Sequence, residues 1–210
     1  MDPVPPKYAA PAPQLLADLV RAQPFAWIVS GPPGDSHATP LPLRPKLAPD
    51  GRIEALIGHF ARSNPHVEAL RRDPRALVLT LGPHGYVSPS WMADRTQAPT
   101  WNYAAAQFAV EVEFIEDEAA LRLVLDDLVG AMEAMRPDAW SAAEMDERYA
   151  RLSRGIIAFH ARVVDQRGVF KLGQDERDDV YADIVTGLAG QGADDLVAWM
   201  RALNPGRAEA

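Results

Sequence analysis

The sequence predicts a small antiparallel β-barrel carrying helices, of class α+β or mainly β, and three observations carry that prediction. QFAVEVEFI places Phe108, Val110, Val112 and Phe114 on one face and Gln107, Glu111 and Glu113 on the other, the period of two of a half-buried strand. Apolar runs such as FAWIVS, ALVLTLG and GIIAFHARVVD are bounded by turn-forming residues. From Asp117 the period changes, and Leu121, Val124, Leu125, Leu128, Met132 and Met135 follow helical spacing.

Twelve of the 19 prolines lie in the first 50 residues, which favours extended segments and turns there apart from one short helix over PQLLADLVRAQ. FAWIVS (25–30) reads as a buried strand, GPPGDS as a turn, and HATPLPLRP as an edge strand, because only an edge tolerates so many missing N–H donors. RIEALIGHF (52–60) is the next strand. In SNPHVEALRRD, Ser63 or Asn64 stands as N-cap and Pro65 at the first helical position, so a helix starts directly after that strand. ALVLTLG (76–82) returns as a strand. The 18-residue stretch YVSPSWMADRTQAPTWNY holds two of the five tryptophans and two of the five tyrosines, and Pro89 and Pro99 break it too often for one helix. After QFAVEVEFI come helices over about 117–154, including a second over 141–154, then GIIAFHARVVD (155–165) as a strand. A last helical region spans about 175–202, with Asp175 as N-cap and Val180, Ile184, Val185 and Leu188 on one stripe before Gly190. About six strands result. The 210 residues read as one domain, 1–210, although the late helices could instead form a separate lobe.

Hydrophobic residues make up 48% of the chain and charged residues 24%, ordinary for a globular protein. Without cysteine there is no disulfide framework, thiolate nucleophile or thiolate-bound metal. No basic start followed by an apolar run, and no succession of about 18 apolar residues, signals export or a membrane span, so the expected location is cytoplasmic. The net charge of −8 is uneven: residues 1–110 hold 10 Lys/Arg against 8 Asp/Glu, and residues 111–210 hold 11 against 21. Such a chain repels phosphate backbones except at a local basic patch, and the dense one is Arg62, Arg71, Arg72 and Arg75. No helix-turn-helix or basic recognition helix is legible, so direct nucleic-acid binding is not expected.

Two constellations carry chemistry. In GHFARSNPHVEAL (58–70) a strand ends in His59, Arg62, Ser63 and Asn64 where a helix begins, offering backbone N–H groups, a positive dipole end and an arginine fork for a phosphate. An ordinary capped helix with a surface arginine reads the same residues. In the aromatic stretch, Trp91, Trp101 and Tyr103 can pack on a planar ring while Ser88, Thr100 and Asn102 satisfy heteroatoms on its edge. A core or dimer-interface cluster is the other reading. Phosphate plus flat heterocycle together describe a flavin or nucleotide. His59 and His66, seven apart with no carboxylate cluster, match no metal pattern. His37, His84 and His160 read as hydrogen-bonded structural residues. FKLGQDERDD (170–179) is most simply a helix start that favours negative charge, and Lys171 and Gln174 are its residues available for cofactor contact.

The segments PFAWIVS, TPLPL, GHFARSNPHVEAL, GPHGYVSPSWM, PTWNY and KLGQD, spread in order over about residues 8–190, resemble the PaiB-like FMN-binding negative transcriptional regulators. The fold of that family resembles the flavin-binding split barrel of pyridoxamine phosphate oxidases. The resemblance implies a homodimer binding FMN at the subunit interface. His59, Arg62, Ser63 and Asn64 would hold the phosphate, and Ser88, Trp91, Thr100, Trp101 and Asn102 would line the flavin pocket. It further implies a flavin-responsive regulator, against which stand a flavin-dependent oxidoreductase acting on a small molecule and a flavin-less dimeric scaffold. No catalytic residue and no metal ligand is assigned. The chain departs from the family pattern at Pro40 and Met92, where a histidine and a tyrosine are usual, at Gly173, Gln174 and Asp175, and near Ala105 and Ala106.

Overall fold

A computed structural model describes residues 4–145 and 147–207 of the chain. After helix α1 (Gln14–Ala22) come strands β1 (Phe25–Ser30), β2 (His37–Pro42), β3 (Arg44–Leu47) and β4 (Ile53–Ala61), then helix α2 (Pro65–Arg72) and strand β5 (Arg75–Val87). Strand β6 (Thr100–Ile115) leads to helices α3 (Glu118–Glu133) and α4 (Glu147–Ser153), and strand β7 (Ile156–Lys171) to helices α5 (Asp178–Ala189) and α6 (Asp194–Leu203). The strands form one antiparallel sheet in the order β2-β1-β5-β6-β7-β4-β3.

The fold is α+β, and it has seven strands where the sequence suggested about six. HATPLPLRP is the reason. It divides into β2 and β3, which lie at opposite edges of the sheet, where a missing N–H leaves no ladder bond unmade. The turn before β2 is made by Gly31 and Gly34, both at positive φ, a conformation that costs a side-chain-bearing residue 1 kcal/mol or so.

The inner face of the sheet packs with α1, α2, α5 and α6 around Leu19, Ile28, Phe60, Phe108, Phe159 and Phe170. Val180, Ile184 and Leu188 of α5 and Leu196 and Met200 of α6 belong to this same core. Helix α3 buries Leu121, Val124 and Leu128 over Ala158 in a second, smaller cluster on the other face. Met132 and Met135 continue the helical spacing on paper, yet both are exposed: α3 ends at Glu133, so Met135 lies beyond the helix, and the buried stripe stops at Leu128. The helix expected over 141–154 is a 3₁₀ turn at Ala142–Met145 followed by the shorter α4.

FAWIVS is not buried on both faces. Ala26, Ile28 and Ser30 point inward, while Phe25 and Trp27 are exposed. An apolar outer face hides the period of two from a sequence reading. Asp175 does not cap α5, whose N-cap residue is Arg177; it accepts hydrogen bonds from Lys7 (2.5 Å) and Tyr8 (2.9 Å) and ties the N-terminal segment to the end of β7.

Candidate functional site

The register of the central strands defines the outer face. One row reads Pro40, Trp27, Leu79, Gln107, Arg167; the next reads Leu81, Ala105, Val169; beyond it come His84, Tyr103, Lys171 and finally Tyr86 beside Trp101. Odd-numbered residues of β6 share this face, so it continues past Gln107 to Glu113 and Ile115. There Ile115 pairs with Ala158, and Ala158 with His59 of β4, beneath α3. Trp101 and His59 therefore stand at opposite ends of one surface. The half of this face nearer Trp101 leaves Trp27 (50% exposed), Leu81 (57%) and Trp101 itself (53%) open to solvent and forms a groove of about 310 Å³, while Glu111, Glu113 and Arg162 lie on the half nearer His59.

The His59 end is built by strand β4 running into α2. Asn64 is the cap, its Oδ1 accepting the His66 N–H at 2.9 Å, and Pro65 opens the helix without wasting a donor. Of the two candidate caps, Ser63 is the one left exposed. A buried polar chain fixes this corner to the sheet. The His66 ring, 1% exposed, lies 2.9 Å from Ser30 Oγ and 2.9 Å from Thr39 Oγ1, and Asn64 Nδ2 donates to Thr39 Oγ1 at 3.3 Å. Burial, and then the neighbouring His37 stacked at 5.3 Å, pushes the His66 pKa down to about 4, so the ring is neutral at physiological pH.

Arg62 and Arg71 converge on one carboxylate. Arg62 Nη1 donates to Glu116 Oε2 at 3.2 Å, and Arg71 Nη2 donates to Glu116 Oε1. The hydrogen bond from Arg71, with that from Arg62, holds the Glu116 carboxyl below the usual carboxylate range. A cavity of about 220 Å³ beside the pair is lined by Arg62, Glu116, Glu118, Leu121, Ser153 and Arg154. His59 Nδ1 is buried without a protein partner, and burial lowers its pKa. Two guanidinium groups already gathered on an anion, with an orphaned ring nitrogen on the adjoining strand, suit the terminal phosphate of a flavin mononucleotide.

At the other end, Lys171 Nζ donates to Thr100 Oγ1 and to the Trp101 carbonyl at 3.3 Å, holding a cation beside the exposed indole. The remaining expected residues are engaged within the chain. Asn102 is buried, its Nδ2 3.6 Å from Met200 Sδ. Trp91 packs against α5 at Gly187. Gln174 closes its own turn, bonding the Leu172 N–H at 2.7 Å and the Phe170 carbonyl. Ser88 accepts from the Ser90 N–H at 3.2 Å and shares a 2.6 Å hydroxyl contact with it. Met92, at a departure from the family pattern, is buried in the core. The sequence grouped Arg62 and Arg71 in one basic patch but gave no sign of Glu116, 45 residues beyond Arg71, as the carboxylate on which both converge. Among the described residues no group of three or more His, Cys, Asp or Glu could hold a metal, and no helix is long and apolar enough to cross a membrane.

From Trp101 to Ile115 the strand contour is roughly 45 Å. Residues 4–165 match the family described as "Putative FMN-binding domain". The chain belongs to this FMN-binding family. Its relatives include the protease synthase and sporulation protein PAI 2 of Bacillus subtilis (strain 168), 29% identical over 177 residues, with 83% of each chain covered. The family member also resembles, in structure, the flavocytochrome Anf3 from Azotobacter vinelandii (TM-score 0.62, 15% identity, 83% of this chain and 75% of that one). A second match is the FAD and heme binding protein from Mycobacterium smegmatis (TM-score 0.60, 20% identity, 83% and 79%). These likenesses identify the fold as the flavin-binding split barrel, as the PaiB-like motifs implied.

Proposed function

We propose that the chain works as a homodimer holding one FMN at each of two equivalent sites across the two-fold axis, and that it acts as a flavin-responsive regulator. One observation carries the reading: His59, beside the phosphate-suited corner, and Trp101 stand at opposite ends of the same outer face, whose Trp101 half leaves apolar side chains exposed. Two copies packed face to face about an axis near the middle of β6 exchange ends, so the His59, Arg62, Ser63 and Asn64 corner of one protomer meets Thr100, Trp101 and Lys171 of its partner. Association also covers Trp27, Leu79 and Leu81, which a lone chain leaves in water.

Within such a site Arg62 binds the phosphate, Ser63 adds a hydroxyl, and Asn64 holds α2 in place. Trp101 packs on the ring, and Lys171 stands near its polar edge. Trp91, Asn102, Gln174 and Ser88 set the backbone of the aromatic corner. Bound FMN supplies one- or two-electron transfer, and the chain's own residues bind, orient and shield it. The regulatory role rests on the resemblance to the PaiB-like transcriptional regulators, and kinship with the sporulation protein PAI 2 supports it. An oxidoreductase acting on a small molecule is the second reading, in which the flavin carries the electron chemistry and the chain positions it.

The absorbance spectrum of the purified protein tests the proposal. Oxidised-flavin bands are expected; a colourless protein that takes up no added FMN removes it. Rapid bleaching by a nicotinamide donor with a small-molecule acceptor selects the oxidoreductase.

A further inference from the structure

The corner beside α3 holds a ready-made anion site with an internal occupant. Arg62, at the end of β4, and Arg71, in the last turn of α2, are nine residues apart, yet both donate to the same Glu116 carboxylate. Arg71 is steered there from a second side, since its guanidinium carbon lies 5.1 Å from the Phe114 ring centre, and Glu68 is 3.7 Å from its Nε. The cavity of about 220 Å³ adjoining Arg62 and Glu116 carries a further cation, Arg154, on its rim. Glu118 lines the same cavity but, among the described residues, pairs with neither Arg62 nor Arg71.

Resting on the flavin reading above, we propose that Arg62 and Arg71 form one phosphate-binding fork whose internal occupant is Glu116. A phosphate monoester binds by displacing that carboxylate, which makes Arg71 a phosphate ligand in its own right. The physical reason is competition for the same donors. A phosphate monoester offers three acceptor oxygens and nearly two charges to two planar guanidinium forks, where a carboxylate offers two oxygens and one charge. Glu116 also keeps two like charges together while the site is free. The arrangement selects a phosphorylated flavin against riboflavin, whose hydroxyl end cannot dislodge a carboxylate from two arginines.

Flavin-fluorescence titrations of the full chain with FMN and with riboflavin test this on wild type, Glu116→Gln, Glu118→Gln and Arg71→Ala, with thermal melts confirming that each is folded. Glu116→Gln is expected to bind FMN about tenfold more tightly and Arg71→Ala about tenfold more weakly, both with riboflavin affinity unchanged. Glu118→Gln removes the same charge without freeing a donor and is expected to stay within about twofold of wild type. If Glu116→Gln binds FMN no better than wild type, or gains no more than Glu118→Gln, the displacement is wrong. An Arg71→Ala protein with wild-type FMN affinity removes Arg71 from the site, and this variant decides the matter if Glu116→Gln does not fold. A wild-type protein that binds neither flavin overturns the flavin reading itself, whereas one that binds FMN but ignores both substitutions overturns only this inference.

Discussion

At the scale of single residues, charge pairing and burial decide what each polar group can do. Arg62 donates one charge-assisted hydrogen bond, to Glu116, and redirecting the guanidinium to a phosphate preserves that kind of interaction. Arg62→Ala is therefore expected to weaken FMN binding roughly 10- to 100-fold, with little change in melting temperature because the side chain is largely at the surface. Equal affinities of mutant and parent in a flavin titration would place the phosphate elsewhere. His66 behaves differently. It is neutral in the fold with a pKa of about 4, and it takes up a proton near pH 6.5 once unfolded. The unfolded chain thus binds more protons between those values, so the stability contributed is present above about pH 6.5 and is lost as pH falls toward about 4, roughly 3 kcal/mol in all. The burial-lowered pKa of His59 adds a slope of the same sign. Thermal melts at about pH 7.5 and about pH 5 should show the wild type losing more stability than His66→Gln, which has no proton to gain there. Parallel losses would mean that the ring is already charged in the fold.

Elements are positioned by a few close contacts that their own sequences do not announce. Helix α5 approaches the aromatic stretch at Gly187, where an added Cβ would lie 2.3 Å from the Trp91 ring. Alanine is the better helix former by about 1 kcal/mol, but the indole is rigid and already packed against the core, and overpacking costs about 1–3 kcal/mol. Gly187→Ala is consequently expected to melt at a lower temperature than the parent; a higher one would mean that α5 can slide away from Trp91. The stretch is held from its other side too. Asp94 accepts from Thr96, Gln97 and Arg177, and Asp183 accepts the Ala93 N–H at 2.8 Å. Those bonds, the Thr96 hydroxyl first, hold the Asp94 carboxyl far below the usual range. The segment between Pro89 and Pro99 is thus a pinned strap carrying Trp91, and it delivers the chain to β6 so that Trp101 emerges on the outer face.

For the whole molecule the governing fact is the uncovered outer face. Light scattering at micromolar concentration is expected to report twice 22.9 kDa. In the proposed dimer, Leu81→Glu should drive the mass to that of one chain and abolish flavin retention together, since it puts a charge into the apolar face that association would cover. Monomers that still bind FMN tightly would confine the flavin to one chain. The same scale bears on nucleic acid. Of the basic cluster, Arg62 and Arg71 share Glu116 and Arg75 pairs with Asp73 at 2.7 Å, which leaves little uncompensated positive charge on a chain of net −8. Anisotropy titrations with promoter fragments at two salt concentrations are expected to show no sequence-selective complex. A tight one that weakens steeply with salt would mean that regulation is direct.

Much of this was legible in the residues because it depends on local rules. The alternation in QFAVEVEFI, the change of period at Asp117, the Asn-Pro start of α2 and the edge preference of HATPLPLRP are set by backbone geometry within a few residues of each other. The family motifs likewise pointed to the split barrel and its flavin. What local rules cannot express is which distant groups meet. Phe25 and Trp27 read as core because apolar residues look alike whether they face a core or a partner, and only the sheet order places them outside. Asp175 has the chemistry of a helix cap, yet Lys7, 168 residues away, claims it. The sequence by itself determined the alternating strand β6, the Asn-Pro start of α2 and the flavin motifs. The tertiary structure alone decided that Arg62, Arg71 and Glu116 share a corner and that Trp101 lies a strand's length away, because register and strand order are fixed by packing the whole chain at once.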